Sequence, residues 1–213
     1  MTRGRPPAHT LERVIEAAIA VADADGLAAV TMRRIAGEIG AGAMSLYTYV
    51  PDKDRLVDAM VDRVGADVPA ITPTGDWQGD LLAICRAQRA SMLAHPWLPG
   101  ALAARRITGR HMVAYLEQGL AALAPTRLDG STKLEVIALL TGFVANFVAN
   151  ELAGPPTEEQ VALIGEAVLS GDYPHLAAAL AEGGSRVPTF DAIALRMIRG
   201  LADPVLWPGP DIL

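Results

Sequence analysis

The chain has 213 residues, 51% of them apolar, and a formal net charge of −6. That length and apolar share allow a packed core in one ordinary domain, or in a small domain joined to a larger one. The acidic balance argues against a protein that coats nucleic acid nonspecifically, and a single cysteine, Cys85, excludes a disulfide within the chain and a cysteine-built metal cluster.

In chain order, Met1 to Pro7 lacks the apolar stretch of a secretory signal, so export is not expected. Arg3 and Arg5 flank Gly4 on an arm that either lies along phosphates and a minor groove or is a basic tail with no defined contact. Thr10 caps a helix to about Ala24, with Leu11, Val14, Ile15, Ala18, Ile19 and Ala22 inward and Asp25-Gly26 as the stop. Thr31 caps a short helix whose inner face is Ile35, Ala36 and Ile39. Gly40 ends it by tolerating a left-handed backbone, and the small Ala36 lets another helix cross closely. The next helix, about Gly42 to Tyr49, buries Leu46 and turns Ala43, Met44, Ser45 and Thr48 outward, the shape of a major-groove reading head.

Pro51-Asp52 opens a fourth helix in which Leu56, Ala59, Met60, Arg63 and Val64 recur at helical spacing. Residues 1 to 65 hold eight Lys or Arg against nine Asp or Glu, so the acidity lies mostly beyond the reading head. The segment Pro69 to Gly75, with its two prolines, divides the chain into residues 1 to 68 and 69 to 213.

The remainder reads as helical. Trp77 to His95 is amphipathic through Leu81, Ile84, Cys85, Gln88 and Met92 and is broken by Pro96 and Pro99. A helix from Thr108 to Ala124 carries Met112, Tyr115, Leu116 and Leu120. Thr132 and Glu135 form a capping-box start for the longest helix, which runs to about Leu152. Its apolar run falls short of the roughly 18 residues of a membrane span, yet it is apolar nearly all round. Another chain must therefore cover part of it. With the closing helix, about Thr189 to Ala202, it predicts a two-fold four-helix interface with Phe143 and Val144 at the seam. Thr157 to Gly183, interrupted at Gly171 to Pro174, reads as a helical flap beside it.

Three runs arrive in register: Ile35-Ala36 through Gly40, Ser45-Leu46-Tyr47-Thr48-Tyr49, and Pro51-Asp52-Lys53-Asp54-Arg55-Leu56. Together they resemble the DNA-binding domain of the TetR family of bacterial transcriptional repressors, over roughly the first third of the chain. Asp76-Trp77-Gln78, His95, the long helix around Phe143 and the closing helix resemble the ligand-binding half of the tetracycline-repressor branch. The resemblance implies an all-α fold: an N-terminal three-helix helix-turn-helix domain and a larger helical ligand-binding and dimerisation domain. It also implies a homodimer, a double-stranded DNA operator, a small-molecule effector, and a fourth helix that connects head to sensor.

Residue types in the reading helix refine this. Ser45 and Thr48 can meet base edges or phosphates, and Ala43 or Met44 a thymine methyl; no Arg, Asn or Gln offers a bidentate base contact. Tyr47 and Tyr49, with Thr31, Arg33 and Lys53, are the expected phosphate clamps by resemblance. Gly42 stands where the family has a side-chain cap, and Met44 where it has a small residue or proline, so an operator sequence does not transfer from relatives. For an apolar pocket with few polar handles, the candidates are Gln88, Met92, Leu102, Arg105, Met112, Tyr115, Gln118, Phe143, Asn146, Phe147 and Asn150. Asn146 can instead pair with its two-fold mate. The metal-ligating histidine of the tetracycline branch falls near Leu102, so a tetracycline–magnesium ligand is not expected.

Catalytic signatures are weak. His9, His95, His111 and His175 lack the i, i+4 spacing of a helical metal site, no Gly-x-Ser-x-Gly elbow occurs, and Gly40-Ala-Gly42 lacks both the third glycine and the preceding strand of a dinucleotide loop. No cofactor or metal is expected. The expectation is a cytoplasmic, ligand-responsive transcriptional regulator, a repressor released by a small molecule; the alternative is a helical adaptor or an enzyme with no DNA role.

Overall fold

The computed structural model describes residues 10–104, 109–182 and 189–201, which fold into helices with no strand among them. Arg3, Arg5 and Arg105 lie outside the described residues. The helices are α1 (Leu11–Asp25), α2 (Met32–Glu38), α3 (Ala43–Leu46), α4 (Lys53–Ala66), α5 (Trp77–Ala94), α6 (Leu98–Ala104), α7 (Arg110–Ala122), α8 (Gly130–Ala153), α9 (Glu158–Ser170), α10 (Pro174–Glu182) and α11 (Phe190–Leu201).

Capping sets most of these boundaries. Thr10, Thr31 and Asp52 each accept a backbone N–H three residues on, starting α1, α2 and α4. In α8 the cap is Asp129 rather than a Thr132–Glu135 box: its carboxylate accepts both the backbone N–H and the hydroxyl of Thr132 at 2.9 Å. A carboxylate offers two acceptor oxygens and moves the helix start three residues upstream. These bonds hold the Asp129 carboxyl below its ordinary range. Thr157 and Gln160 complete a true capping box on α9. The α6 helix, absent from the sequence reading, begins directly after the Pro96 break.

The head is a three-helix cluster. Val14, Ala18, Ile35, Ala36 and Leu46 are buried, and Leu56, Val57 and Met60 of α4 close the cluster beneath them. The buried stripe of α4 is Leu56, Val57, Met60, Val61 and Val64, whereas Arg63 turns out and pairs with Asp67 at 2.7 Å. In α1 it is Val21 that completes the buried set, and Leu11 is exposed.

In the body, α8 lies against α5, α6, α7 and α11. Contrary to the expectation from its interrupted apolar run, by length and composition alone it is long and apolar enough to cross a membrane, a test that a core helix also passes. Val136, Ile137, Leu140, Val144 and Val148 are buried within the protomer, while Leu134, Leu139 and Leu152 on other faces are exposed. The expected seam therefore needs correction. Val144 is 0% exposed and belongs to the protomer's own core, and Phe143 stacks on Phe190 with ring centres 5.9 Å apart. The outward face of α8 carries Leu139, Gly142, Asn146 and Ala149 instead. Helices α9 and α10 bury no residue and leave Val161, Leu163, Ile164, Leu169 and Leu180 exposed.

The proline-rich segment between α4 and α5 is docked rather than slack. Asp80, 3% exposed, accepts the backbone N–H and hydroxyl of Thr74, and Ile71 donates its N–H to Gln118 Oε1 at 2.9 Å. Side chains of α5 and α7 thus pair backbone groups of a segment whose residues are otherwise mostly exposed.

Candidate functional site

Two sites emerge, a reading surface on the head and a cavity in the body. At the first, α2 and α3 meet through Ile39 to Gly42. Gly40 has φ +69°, the left-handed region where a Cβ is disfavoured, and Ala41 N–H closes the turn onto Ala36 O at 2.8 Å. With Leu46 buried at 0% exposure, Met44, Ser45, Tyr47 and Thr48 all face solvent, Met44 at 79%. Ala43 opens α3. The helix is shorter than expected, ending at Leu46, and Tyr47 to Tyr49 follow as a turn. Gly42 supplies no side-chain cap, so nothing reinforces a longer helix.

The hydroxyls there are committed as donors: Ser45 Oγ to Gly42 O and Thr48 Oγ1 to Ser45 O, both at 2.6 Å. Each keeps a lone pair that can accept a base amino group. Thr31 Oγ1 accepts Arg34 N–H as the α2 cap, which leaves its own hydrogen for a phosphate. Arg34 is tied to Asp25 at 2.5 Å, whereas Arg33 beside it is exposed and has no such partner among the described residues. Tyr47 is half exposed and Tyr49 packs against the core. Lys53 is part-buried and donates its ammonium to Leu27 O at 3.1 Å, so it braces the head as well as lying near the surface.

The second site is a cavity of about 480 Å³, within the range of small-molecule pockets. Its wall comes from the end of α4, residues 67–71 after it, and α5, α6, α7 and α8. Six expected residues line it: Gln88, Met92, Leu102, Met112, Tyr115 and Gln118. Phe143, Asn146, Phe147 and Asn150 do not. Phe143, Phe147 and Phe190 form an aromatic cluster, and Asn150 donates to Asn146 Oδ1 at 3.0 Å on the exposed face. These four lie on other faces of α8 than Thr141, the α8 residue in the cavity wall. Asp62, Ser91, His111, Thr141 and residues 67–71 line it without having been expected. Asp62, Ser91, His111 and Thr141 signal themselves only as polar residues on otherwise apolar helix faces, and residues 67–71 read as a linker.

Polar groups in the wall are mostly paired. Tyr115 Oη is 2.7 Å from Thr141 Oγ1, and Thr141 donates to Ile137 O at 2.8 Å, so the tyrosine hydrogen points at the threonine oxygen. Burial pushes the Tyr115 phenol up to about 12, which keeps it neutral. Nearby Cys85 is likewise pushed up to about 12 by burial, an inert thiol rather than a nucleophile.

The two sites are physically joined. Asp62 of α4 accepts His111 N–H at the start of α7 at 2.9 Å. Asp23 of α1 accepts Trp97 Nε1–H at 2.7 Å, and His95 Nδ1 lies 2.9 Å from the same oxygen, so the head is fastened to the α5–α6 corner. Leu98 and Leu102 of α6 reach from that corner to the cavity.

A helix-turn-helix reader fastened to a helical body with a drug-sized cavity defines a one-component DNA-binding regulator. Residues 14–60 match the family model described as bacterial regulatory proteins, tetR family, and residues 68–200 match that of the tetracyclin repressor-like C-terminal domain. The HTH-type transcriptional repressor DrrR1 of Streptomyces coeruleorubidus is 36% identical over 184 residues, 85% of this chain and 68% of that one. The crystal structure of apo ActR from Streptomyces coelicolor superposes with a TM-score of 0.80 at 26% identity, covering 93% of this chain and 97% of that one. ActR in complex with actinorhodin gives 0.78 at 26% identity, over 91% and 96%. The chain belongs to the TetR family, and it is a ligand-responsive, DNA-binding transcriptional regulator.

Proposed function

We propose that the protein is a cytoplasmic, non-catalytic repressor whose dimer holds a near-palindromic operator and releases it when a small molecule fills the body cavity. The head is residues 1 to 68 and the sensor residues 69 to 213. Two heads sit about one helical turn apart, ~34 to 36 Å, and enter successive major grooves. Met44, Ser45 and Thr48 meet bases, and Thr31, Arg33 and Tyr47 hold phosphates. The observation that carries this reading is that one helix, α4, is both floor of the reading head and wall of the cavity.

A ligand in that cavity meets α4, α6 and α7 together. It favours the state in which α4 and the Asp23–Trp97 tie swing the heads out of register, and its differential affinity for the two states supplies the work. ActR, solved both apo and with actinorhodin, shows that a relative of this architecture holds a small molecule.

The test fills the cavity from within. Leu102→Trp is expected to weaken binding to a duplex selected from a random pool by roughly tenfold or more, with helicity and dimer mass unchanged. Undiminished binding by a folded Leu102→Trp dimer would sink the coupling of cavity to head.

A further inference from the structure

The cavity wall is selective in charge. Its charged and titratable side chains among the described residues are Asp62, Asp67, His111 and Tyr115, with no Lys or Arg. Asp67 is answered from outside the wall by Arg63. Asp62 is held differently: Oδ1 accepts the His111 backbone N–H, and Oδ2 lies 3.1 Å from His111 Nδ1 without the alignment of a hydrogen bond. Gly109 has no Cβ to collide with Oδ1, so the carboxylate lies directly against bare backbone. Its charge faces a helix N-terminus and an imidazole, partial positive charges that leave the described part of the wall net negative.

Gln88 supplies an independent observation. Its amide Nε2 is 3.4 Å from Thr141 Oγ1, but its Oε1 is buried with no partner among the described residues. The Tyr115 and Thr141 hydrogens are already given away to Thr141 and Ile137. An unanswered buried acceptor costs free energy until a donor meets it, and a ligand N–H or O–H is the donor that fits. A carboxylate or phosphate ester ion brings no such hydrogen and adds repulsion from Asp62.

We propose that the cavity takes a lipophilic cation, an apolar body bearing a protonated amine whose charge sits beside Asp62 and whose N–H or O–H meets Gln88 Oε1. This rests on the cavity being the effector site. The apolar share of the wall excludes a small hydrophilic amine, because the ring or chain must displace water from Ile84, Met92, Leu98 and Met112.

Three three-ring probes separate the outcomes in fluorescence titrations of the intact protein without DNA: acridine orange as cation, anthracene-9-methanol as neutral donor, and anthracene-9-carboxylate as anion. The cation is expected to bind at least roughly tenfold tighter than the carboxylate, with the alcohol between. Asp62→Asn keeps an oxygen to cap α7 and removes the charge, so it should narrow that ratio to about threefold or less while sparing the alcohol. Gln88→Met should weaken cation and alcohol alike by roughly fivefold and leave the carboxylate unchanged. If the carboxylate binds as tightly as acridine orange, or the ratio survives both substitutions, the charge assignment is wrong while the cavity remains the effector site. If no probe binds, the effector-site reading itself fails. Should Asp62→Asn not fold, the native ratio and Gln88→Met decide.

Discussion

Leu139→Glu is expected to give a folded monomer. Leu139 is 47% exposed in the single chain, on the face of α8 that also presents Gly142, Asn146 and Ala149. Those side chains are small enough for a second helix to approach closely, and a two-fold seam meets itself, so each substitution enters twice. Two carboxylates buried without a cation cost at least about 3 kcal/mol, roughly a hundredfold or more in the dimer constant. Light scattering should read half the native mass, and affinity for a two-site duplex should collapse with it, because a lone head keeps one half-site. Val144→Glu is the contrasting control. Val144 is fully buried inside the protomer, so a charge there should unfold the chain rather than separate two folded ones. A Leu139→Glu protein that remains dimeric would move the two-fold axis off α8.

The second large effect lies on the reading head. Arg33→Ala with Tyr47→Ala should weaken binding to every duplex alike, on the order of a hundredfold for the dimer, and lower the salt slope by about two, one phosphate contact of roughly 0.9 for Arg33 in each head. Both residues are exposed and neither braces the core. Lys53 is a poorer choice for this test. Its ammonium is bonded to Leu27 O, and its loss would disturb the head as well as the phosphate surface. A double variant that discriminates among sequences differently from the native protein, without general loss, would place these side chains on bases instead.

The reader was legible because its signals are local. Thr31, Gly40 and Leu46 act through capping, a left-handed turn and one buried side chain, all within a few residues of each other. Half-legible was the cavity. Gln88, Met92, Met112, Tyr115 and Gln118 sit on amphipathic faces that periodicity reveals, but periodicity cannot say which of two buried faces of α8 meets those helices. Phe143 and Phe147, expected at the cavity from their residue type, lie in the cluster with Phe190, because α11 packs on that side.

Other features depend on contacts distant in sequence. Residues 67–71 carry the signature of a linker, and only the bond from Ile71 N–H to Gln118, 47 positions on, turns them into a cavity wall. Asp62 on α4 reads as a solvated carboxylate until α7 arrives with Gly109 and His111. The tie between Asp23 and Trp97 spans 74 positions and has no local trace.

Selecting bound duplexes from a random pool, with the native dimer at physiological salt, tests the central claim most directly: paired α3 heads reading successive grooves. The predicted result is a strongly enriched, two-fold symmetric sequence with half-site centres about 10 base pairs, or a multiple of that, apart, whose enrichment changes at the base positions under residue 44 when Met44 is replaced by Ala. No enrichment, or a single asymmetric site indifferent to Met44, would contradict it.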